Sequence, residues 1–456
     1  MQKIIKAFVE STAKSLGRPI RVCLYGFGKT NAAIFEIIKN NGLINEITVR
    51  QSGKIPSTLP HGLRIITDKN ALYTIDEDIV FASPSLRRER LRLSAGTVIT
   101  SDTELFFDLP HDNLFLVSGS DGKSTVTTLS AMLLSPTFPD LFVGGNLGVP
   151  LAAASLNSGA FVLELSSFNL RYSSPIGDRA ALTNITPNHL DWHESLAEYE
   201  ECKIKLIDLS KEPILCLDTP RIEKLARKRE LFALTSSRLN HGQIVKKYSA
   251  LHTVTAEDGK ICLDGEALLM TREVARSEGH NLENLMLAIG LTLGHTTTEH
   301  IREVAKAFKG LSHRCESFTI DGVEYVNSSI DTTPDRTKTT LCSLERRANV
   351  ILGGRGKGLC YGVLKSPLVK YANKISLYGE AALEMSDWLK SDPELCRIPS
   401  ESFRTLSEAI DHAQSGVRVG DTVLLSPAAT SYGEFRDYAE RGDFFKKYVS
   451  EKHSKI

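Results

Sequence analysis

The sequence lacks an excess of charge of either sign, and it also lacks long apolar runs. It holds 55 Lys and Arg residues against 55 Asp and Glu residues in a chain of 456. This balance argues against the broad basic surface of a general nucleic-acid-binding or anionic-membrane-binding protein, but it leaves room for a local anion pocket. No apolar run reaches the ~20 residues that cross a bilayer, and residues 1–20 hold no signal-peptide core. We therefore expect a cytoplasmic protein that neither binds nucleic acid nor enters a membrane.

Paired cysteine motifs are also missing. The eight cysteines are scattered, and none belongs to a C-x-x-C pair. This spacing favours reduced, mostly buried thiols over a disulfide framework or a cysteine zinc site. The chain of 456 residues is too long for one hydrophobic core, so we expect several domains.

Residues 114–125 predict a phosphate-binding loop. A short apolar strand runs into Gly119-Ser-Asp-Gly122, and Lys123-Ser-Thr125 then opens a helix. The N–H groups of such a loop and helix terminus attract phosphate oxygens. The lysine reaches the β- and γ-phosphates, and the serine hydroxyl can ligate Mg²⁺. The general pattern has another glycine where this chain has Val117, so an ordinary strand–turn–helix remains the alternative.

The order of apolar strands and amphipathic helices predicts an α/β protein of three units. The first, residues 1–100, resembles the start of a dinucleotide-binding fold, although Asn31 stands at the third glycine of that pattern. The second, residues 101–310, alternates strands and helices as a mostly parallel, doubly wound sheet does. The third, residues 311–456, returns to the same alternation, and we expect its last helix over residues 434–449.

Three Asp-Gly dipeptides predict hairpin turns. Asp258-Gly259 and Asp264-Gly265 lie in a stretch of short alternating strands, which we interpret as an antiparallel appendage on the second sheet. Asp321-Gly322 predicts a hairpin that opens the third unit.

Polar side chains follow two strands of the second unit. Glu164 ends an apolar strand beside the predicted phosphate loop, where a carboxylate suits Mg²⁺; a purely structural acid is the alternative. His189 and His193 lie four residues apart around Asp191. A zinc site is one interpretation, and a ligand-binding loop in which His189 coordinates Mg²⁺ or orients a substrate is another. A plain structural loop is the third.

Other candidate binding groups lie further along the chain. Asn281 and Asn284 share a helix face, so both amides could point at one ligand, while Asn281 could instead cap that helix. The loops at Gly353-Gly-Arg-Gly-Lys357 and Ser426–Phe435 each follow an apolar strand and suit an anion. They indicate a small acidic substrate, or else two flexible loops.

Together these segments resemble the Mur ligase family, ATP-dependent enzymes that form amide bonds in peptidoglycan precursors. The motifs that carry the resemblance follow the family's order along the whole chain: Gly119-Ser-Asp-Gly-Lys-Ser-Thr-Val-Thr-Thr128, Gly144-Gly-Asn146, Glu164-Leu-Ser-Ser-Phe-Asn169, Asn188-His-Leu-Asp191, Gly279-His-Asn-Leu-Glu-Asn284, Gly310-Leu-Ser-His-Arg314, Gly353-Gly-Arg-Gly-Lys357 and Leu424-Leu-Ser-Pro-Ala-Ala-Thr-Ser431. Glu164-Leu-Ser-Ser-Phe168 is most similar to the members that add D-glutamate.

The resemblance implies three domains. These are an N-terminal Rossmann-like uridine-nucleotide domain, a central ATP-binding parallel sheet, and a C-terminal Rossmann-like amino-acid domain. It implies ATP, Mg²⁺, UDP-N-acetylmuramoyl-L-alanine and D-glutamate as ligands. It also implies that ATP phosphorylates the carboxylate of the UDP-sugar and that the amine of D-glutamate then attacks the acyl phosphate. We expect a monomer.

The resemblance also assigns residues. It makes Lys123, Glu164, His189 and Lys203 catalytic. The metal ligands would be Ser124, Glu164, His189 and a carbamylated Lys203. ATP would contact Gly119, Ser120, Asp121, Gly122, Lys123, Ser124, Thr125, Asn281, Asn284 and Arg314. The UDP-substrate would contact Gly26, Thr30, Ser83, Pro84, Asn146, Asn169 and His189. D-Glutamate would contact Thr332, Lys357, Ser431 and Tyr432.

Several positions depart from the family pattern. Asp121 replaces the usual asparagine of the phosphate loop. Ser328 stands where an aspartate is expected and Ile330 where many relatives carry lysine. Arg50-Gln-Ser52 lacks the acidic and basic pair expected to recognise uracil.

The sequence is also compatible with other functions. The chain could be another Mur-type ligase, a folylpolyglutamate-type ligase, or a nucleotide-binding regulator without catalysis. The complete α/β unit before the phosphate loop argues against the folate enzyme, in which ATP binding comes first.

Overall fold

A computed structural model describes residues 1–51, 59, 63–68, 71–190, 192–277, 279–356 and 360–453. The chain forms two compact units, Met1–Phe308 and Lys309–Ile456. The predicted boundary near residue 100 falls inside the first unit and stays a prediction.

The first sheet follows an N-terminal helix. Its elements are α1 (Gln2–Leu16), β1 (Ile20–Tyr25), α2 (Lys29–Ile38), β2 (Ile44–Arg50), β3 (Arg64–Ile66), β4 (Thr74–Ile75), β5 (Ile79–Ala82), β6 (Arg92–Leu93), β7 (Val98–Thr100) and α3 (Asp102–Phe107). Five parallel strands lie in the order β3-β2-β1-β5-β7, and β4 pairs with β6. Because β2 and β5 flank β1 on opposite sides, the loops after β1 and β5 diverge and leave a crevice at their carboxyl ends.

The second sheet holds nine strands. Its elements are β8 (Leu114–Ser118), α4 (Lys123–Leu134), β9 (Phe142–Gly145), β10 (Phe161–Glu164), α5 (Ser167–Tyr172), β11 (Arg179–Leu182), α6 (Leu196–Leu209), β12 (Glu212–Cys216), α7 (Pro220–Ala226), β13 (Glu230–Ser236), α8 (His241–Val245), β14 (Ser249–Glu257), β15 (Lys260–Leu263), β16 (Glu266–Met270), α9 (His280–Thr292) and α10 (Thr298–Ala307). The order is β16-β15-β14-β13-β12-β11-β8-β10-β9. The crevice of this sheet lies between β8 and β11.

The antiparallel appendage is confirmed at the strand level. β15 pairs antiparallel with both β14 and β16, while β14 is parallel to β13. Both turns have positive φ at both residues, 49° and 70° at Asp258-Gly259 and 52° and 87° at Asp264-Gly265. Such angles are those of the tight turns that Asp-Gly favours.

The two sheets of the first unit share one apolar core. Ile5 and Val9 of α1 are fully buried in the same cluster as Leu116 and Leu163 of the second sheet. The far face of the second sheet is covered by α4, α9 and α10. This shared packing fixes the crevice of the first sheet relative to the second sheet.

The third sheet belongs to the second unit. Its elements are β17 (Glu316–Ile320), β18 (Val323–Asn327), α11 (Pro334–Leu344), β19 (Ala348–Gly353), α12 (Lys365–Tyr371), β20 (Ala372–Tyr378), α13 (Ala382–Ser391), β21 (Ser400–Phe403), α14 (Leu406–Gln414), β22 (Thr422–Leu425) and α15 (Tyr438–His453). The order is β17-β18-β22-β19-β20-β21, parallel except for the β17–β18 hairpin at Asp321-Gly322. The last helix begins at Tyr438, four residues after the predicted start, because residues 434–437 continue the loop.

A buried ion pair lies at the end of β2. Arg50 and Glu77 are each 2% exposed, and the Arg50 NH2 group lies 2.9 Å from Glu77 Oε2. The same guanidinium donates to the carbonyl of Ala71. Arg50 therefore pairs with Glu77 in the interior of the first sheet.

We predict that Arg50→Met strongly destabilises the protein, because it leaves the Glu77 carboxylate buried without its cation. Loss of one partner of a buried pair costs roughly 3–5 kcal/mol. Arg64→Met breaks an exposed pair with Glu46 in the same sheet and should leave the unfolding midpoint almost unchanged, because exposed ion pairs contribute little to stability. Urea unfolding followed by circular dichroism measures both. Equal midpoints for the two variants would contradict the prediction.

None of the helices in the described residues is long and apolar enough to cross a membrane.

Candidate functional site

The phosphate-type loop lies in the crevice of the second sheet. Gly119 and Gly122 have φ of 145° and 78°, and helix α4 starts directly afterwards at Lys123. A Cβ at Gly119 would lie 1.8 Å from Thr183 Oγ1. Both glycines therefore adopt backbone conformations that other residues rarely reach. The first N–H groups of α4 lie at the end of this loop, as in an anion-binding site.

Glu164 lies beside this loop, as predicted. Ser124 Oγ donates to Glu164 Oε2 at 2.7 Å, and Asn146 Nδ2 donates to Glu164 Oε1 at 2.5 Å. Glu164 is 2% exposed. These contacts bring together the Ser124 hydroxyl, the Glu164 carboxylate and the Asn146 amide, which lie beyond or at the ends of β8, β10 and β9.

Helix α6 packs against the loop from the other side. Lys203 is 2% exposed, and its Nζ donates to the carbonyl of Gly119 at 2.6 Å. Burial first, and then the neighbouring Lys123 cation, hold the pKa of Lys203 well below its ordinary value. Tyr199 Oη lies 2.7 Å from Ser120 Oγ. Lys203, predicted from the family pattern alone, is thus an interior amine at the loop and not a surface lysine.

The loop after β11 carries His189. Its φ is 55°, its side chain is exposed, and its ring lies 4.9 Å from that of Phe168. Asp191, between the two histidines, lies outside the described residues. His193 is buried, with Nε2 2.9 Å from Ser167 Oγ, and burial is the largest cause that lowers its pKa to about 4. The two histidines therefore have different environments, which does not favour one zinc site that uses both.

Asp121 connects the phosphate loop to the residues that follow β11. Its N–H donates to Asn184 Oδ1 at 2.9 Å, and Thr186 Oγ1 donates to its carboxylate at 3.4 Å. Its negative charge also favours the protonated form of Lys203. The unusual aspartate therefore adds an exposed anion beside the site.

The two asparagines of α9 make different contacts. A Cβ at Gly122 would lie 2.3 Å from Asn284 Oδ1, so this amide lies against the phosphate loop. Asn281 lies with Leu129 and Arg276 instead. The proposed cap at Asn281 is wrong, because Gly279 is the N-cap residue and makes no side-chain cap.

Gly122→Ala tests the close contact between the loop and Asn284. Both a φ of 78° and the 2.3 Å approach oppose a methyl group, so we expect nucleotide affinity to fall at least ~10-fold. Gly17→Ala is the control, since Gly17 has a φ of 63° but nothing lies within 4 Å of its Cβ position. Calorimetric titration with a non-hydrolysable ATP analogue measures the difference. Unchanged affinity in Gly122→Ala would contradict the assigned contact.

A cavity of about 460 Å³ fills the crevice of the first sheet and reaches the second. Six of the residues predicted to bind the UDP-substrate line it: Gly26, Thr30, Ser83, Pro84, Asn146 and Asn169. His189 is not in this lining, although Phe168, its ring neighbour, is. The cavity therefore joins residues from positions 26 to 169 that sequence spacing alone could not bring together.

Helix α2 opens into this cavity. Its N-cap, Gly28, makes no side-chain cap, so the first-turn N–H groups can attract an anion. Asn31, which replaces the third glycine of the dinucleotide pattern, donates to the carbonyls of Gly26 and Phe81 at 2.8 and 3.1 Å. This bond joins the ends of β1 and β5 and gives a physical reason for the departure.

The lining also contains residues that the sequence did not indicate. Gln51 Oε1 accepts from the N–H of Phe27 at 2.8 Å, so the end of β2 forms part of the wall. Asp102 is 3% exposed, and burial is the main cause that raises its pKa. Gln51 follows β2 and Asp102 begins α3, so the two residues meet at the cavity only in the folded chain, and no motif indicates this.

Asn169 uses most of its amide within the protein. Its Oδ1 accepts from the N–H of Ser166 at 3.1 Å in a capping box, and its Nδ2 donates to Thr103 Oγ1 at 3.1 Å. Both bonds orient α5 along the cavity wall. Asn169 thus shapes the wall, and its Nδ2 group has one acceptor among the described residues, Thr103.

The second unit brings its two predicted loops together at the carboxyl ends of β19 and β22. Arg355 and Thr430 exchange backbone hydrogen bonds of 2.8 and 3.2 Å. Ser431, the residue after Thr430, is buried, and Tyr432 is 57% exposed. Lys357 lies outside the described residues. The pairing disfavours the interpretation of two unrelated flexible loops.

The remaining residues of the second unit lie near strand ends. Thr332 follows β18 and is partly buried, and Arg314 is partly buried in the turn before β17. At Ser328, a position that departs from the family pattern, the Oγ atom lies 3.3 Å from Thr340 Oγ1. Thr340 Oγ1 in turn donates to the Asp331 carboxylate at 2.7 Å. A buried carboxylate is therefore present three residues after the position where it was expected.

The donor set around Glu164 fits Mg²⁺. Hydroxyl and carboxylate oxygens are the ligands that this hard cation prefers, and Ser124 and Glu164 supply both at 2.7 Å from one another. Lys203 as a free amine is not such a ligand. It would become one only as a carbamate.

Comparison with known proteins agrees with this geometry. The Mur ligase middle domain matches residues 117–292. The UDP-N-acetylmuramoylalanine–D-glutamate ligase of Clostridium botulinum is 30% identical, with 99% of this chain and 100% of that protein covered. The protein of the same name from Acetivibrio thermocellus is 32% identical, with 82% of each covered.

Solved structures show the same fold. UDP-N-acetylmuramate-alanine ligase from Thermotoga maritima has a TM-score of 0.57 at 17% identity and covers 96% of this chain and 100% of its own. The MurF ligase from the same organism, solved with ADP, has a TM-score of 0.52 at 16% identity with 96% of each covered. These two ligases share the parallel-sheet fold of this chain, and in this chain the phosphate loop contacts Glu164 and Lys203. Because a relative at 30% identity also covers almost its whole length, the chain belongs to the Mur ligase family.

Proposed function

We propose that this protein adds D-glutamate to UDP-N-acetylmuramoyl-L-alanine, with ATP converted to ADP and phosphate. One observation carries the proposal: six residues predicted for the UDP-substrate line a single cavity, and one of them, Asn146, also bonds to Glu164 beside the phosphate loop. The substrate and ATP sites thus share a wall. The relatives that carry the name of this activity support the choice of amino acid.

The first step activates a carboxylate. A carboxylate is a poor electrophile, so its oxygen attacks the γ-phosphorus of ATP, the bond to the β-phosphate oxygen breaks, and an acyl phosphate and ADP form. Negative charge spreads over the phosphoryl oxygens in this transfer. Lys123 and the first N–H groups of α4 stabilise that charge. Asn284, held against Gly122, helps to position the nucleotide.

Mg²⁺ would be held by Ser124, Glu164 and His189, and by Lys203 once it is carbamylated. The ion supplies positive charge to the phosphoryl oxygens when bound. Glu164 already orders Ser124 through the hydrogen bond between them. The low pKa of Lys203 supports carbamylation, because only the neutral amine reacts with CO₂.

The second step forms the amide. The neutral amine of D-glutamate attacks the acyl carbon, phosphate leaves, and the amine loses one proton. Ser431, Tyr432, Thr332 and Lys357 are the proposed contacts for the amino acid. The paired loops after β19 and β22 lie at the carboxyl edge of their sheet, where α/β proteins bind ligands. We also propose that the protein works as a monomer in the cytoplasm, where ATP and UDP-sugars are available.

Phosphate release tests the function. The purified protein is mixed with ATP, Mg²⁺, UDP-N-acetylmuramoyl-L-alanine and one amino acid at a time. We expect turnover with D-glutamate and background rates with L-lysine, meso-diaminopimelate and L-alanine. Turnover with one of those three but not with D-glutamate would reject the assignment. Tight ATP binding without phosphate release on any substrate would favour a regulator.

A further inference from the structure

Arg441 in the first turn of α15 is fully buried, yet all of its hydrogen-bond partners among the described residues are neutral. Its relative exposure is 0%. Nε donates to Ser329 Oγ at 2.9 Å and NH2 donates to the Ser329 carbonyl at 2.7 Å. NH1 donates to the Ala429 carbonyl at 3.1 Å and to Tyr378 Oη at 3.3 Å. Every nitrogen of the guanidinium is therefore used, but its charge is not balanced by these partners.

Among the described residues of the second unit, no carboxylate forms an ion pair with Arg441. Glu434, the acid on the neighbouring loop whose charge interacts with Arg441, accepts both of its hydrogen bonds from the N–H of Leu406 at 3.2 Å. A buried charge without a counter-charge is strongly unfavourable. An anion bound near Arg441 would therefore stabilise the fold.

The partners of Arg441 lie at the carboxyl edge of the third sheet. Ser329 follows β18, Ala429 follows β22, and Tyr378 ends β20. A Cβ on Gly354, which follows β19, would lie 3.1 Å from Arg441 NH1 and 2.3 Å from the Thr430 carbonyl. The guanidinium thus lies directly beneath both loops that are proposed to bind the amino acid.

We propose that Arg441 is a positioning residue of the amino-acid site, where it holds the loops after β18, β19 and β22 in register and provides the positive charge that a carboxylate ligand needs. The proposal rests on the proposed function, because the ligand is the amino-acid acceptor. Arg441 does not touch the ligand, since it is fully buried. Its charge acts over a short distance through an interior of low dielectric constant.

Steady-state kinetics of Arg441→Gln and Arg441→Lys in the full-length protein test this role. We expect the KM for D-glutamate to rise at least ~10-fold in Arg441→Gln, the effect of losing charged hydrogen bonds, with KM values for ATP and the UDP-substrate within about 2-fold. Arg441→Lys should recover part of the loss because it keeps the charge but not the fork of donors.

Phe445→Leu is the matched control. Phe445 lies one turn further along α15, is also fully buried, and packs in the apolar core of the same sheet. It should lower the melting temperature without changing the KM for D-glutamate. If Arg441→Gln does not fold, Tyr378→Phe removes one partner only and should raise the same KM roughly 3-fold.

Two results would overturn the inference. One is an unchanged KM for the amino acid in the Arg441 variants. The other is a parallel rise of all three KM values that Phe445→Leu reproduces. If the wild-type protein uses a different amino acid from the panel, the proposed function fails separately, and the same comparison is made with that amino acid. An unchanged KM for it would then also reject the role of Arg441.

Discussion

Lys203→Ala is expected to lower turnover on the order of 100- to 1,000-fold, the range found when one preorganised charge-stabilising group is removed. Lys203 is 2% exposed and lies against the carbonyl of Gly119. The expected loss has a specific chemical origin. In the proposed carbamylation, the neutral amine attacks CO₂, a C–N bond forms and one proton leaves, so that the side chain would gain an anionic oxygen able to bind the metal.

The expected pH dependence of the activity follows from the lowered pKa of Lys203. Burial holds the pKa of Lys203 well below its ordinary value, so the reactive neutral amine persists to lower pH than in an exposed lysine. As pH falls through that pKa the amine becomes charged and the carbamate is lost. We therefore expect CO₂-depleted buffer to reduce wild-type activity at low pH and bicarbonate to restore it.

Lys205→Ala provides the control on the same helix. Lys205 is half-buried and burial also lowers its pKa, but no motif assigns it a role. Its variant should respond to bicarbonate as the wild type does. A carbamate carbon signal in ¹³C NMR with labelled bicarbonate should appear in the wild type and vanish in Lys203→Ala. Full activity of Lys203→Ala, or the same signal in that variant, would refute the carbamate.

Much of the fold could be predicted from the sequence where one local signal dominates. Asp258-Gly259 and Asp264-Gly265 have few backbone options, and the structure has turns with positive φ at both. Asp321-Gly322 likewise forms the turn of the β17–β18 hairpin, as predicted. Ends of helices were harder to predict. The predicted cap at Asn281 is wrong because the chain turns at Gly279, whose φ of 43° suits that turn without a capping side chain.

The candidate site could be predicted only in part. Gly119, Lys123 and Ser124 lie within six consecutive residues, so their motif indicates a phosphate loop directly. Lys203 carries no such signal, since its burial depends on how α6 packs against the loop. Gln51 and Arg441 could not be identified either, because their environments are built by elements that meet only in the folded chain.

Lys123→Met should cost roughly 1,000-fold or more in turnover, because in the proposed reaction the lysine stabilises the negative charge that builds on the phosphoryl oxygens. Lys211→Met is the control, since Lys211 is a 70% exposed lysine of the same unit, paired with Asp178. Rapid-quench measurement of acyl-phosphate formation separates chemistry from product release. Retention of near wild-type turnover in Lys123→Met would reject the role.

Lys123 also has a second, measurable effect on Lys203. Its positive charge is one of the causes that lower the pKa of Lys203, second to burial. Removal of that charge must raise the pKa of Lys203, so less neutral amine is present at a given pH and the carbamate needs higher pH or more bicarbonate. We therefore expect the ¹³C carbamate signal of Lys123→Met to disappear at higher pH than that of the wild type, even without ATP. An identical pH profile would show that the two lysines act independently. A shifted profile would show that Lys123 helps to keep Lys203 in the neutral form that can react with CO₂.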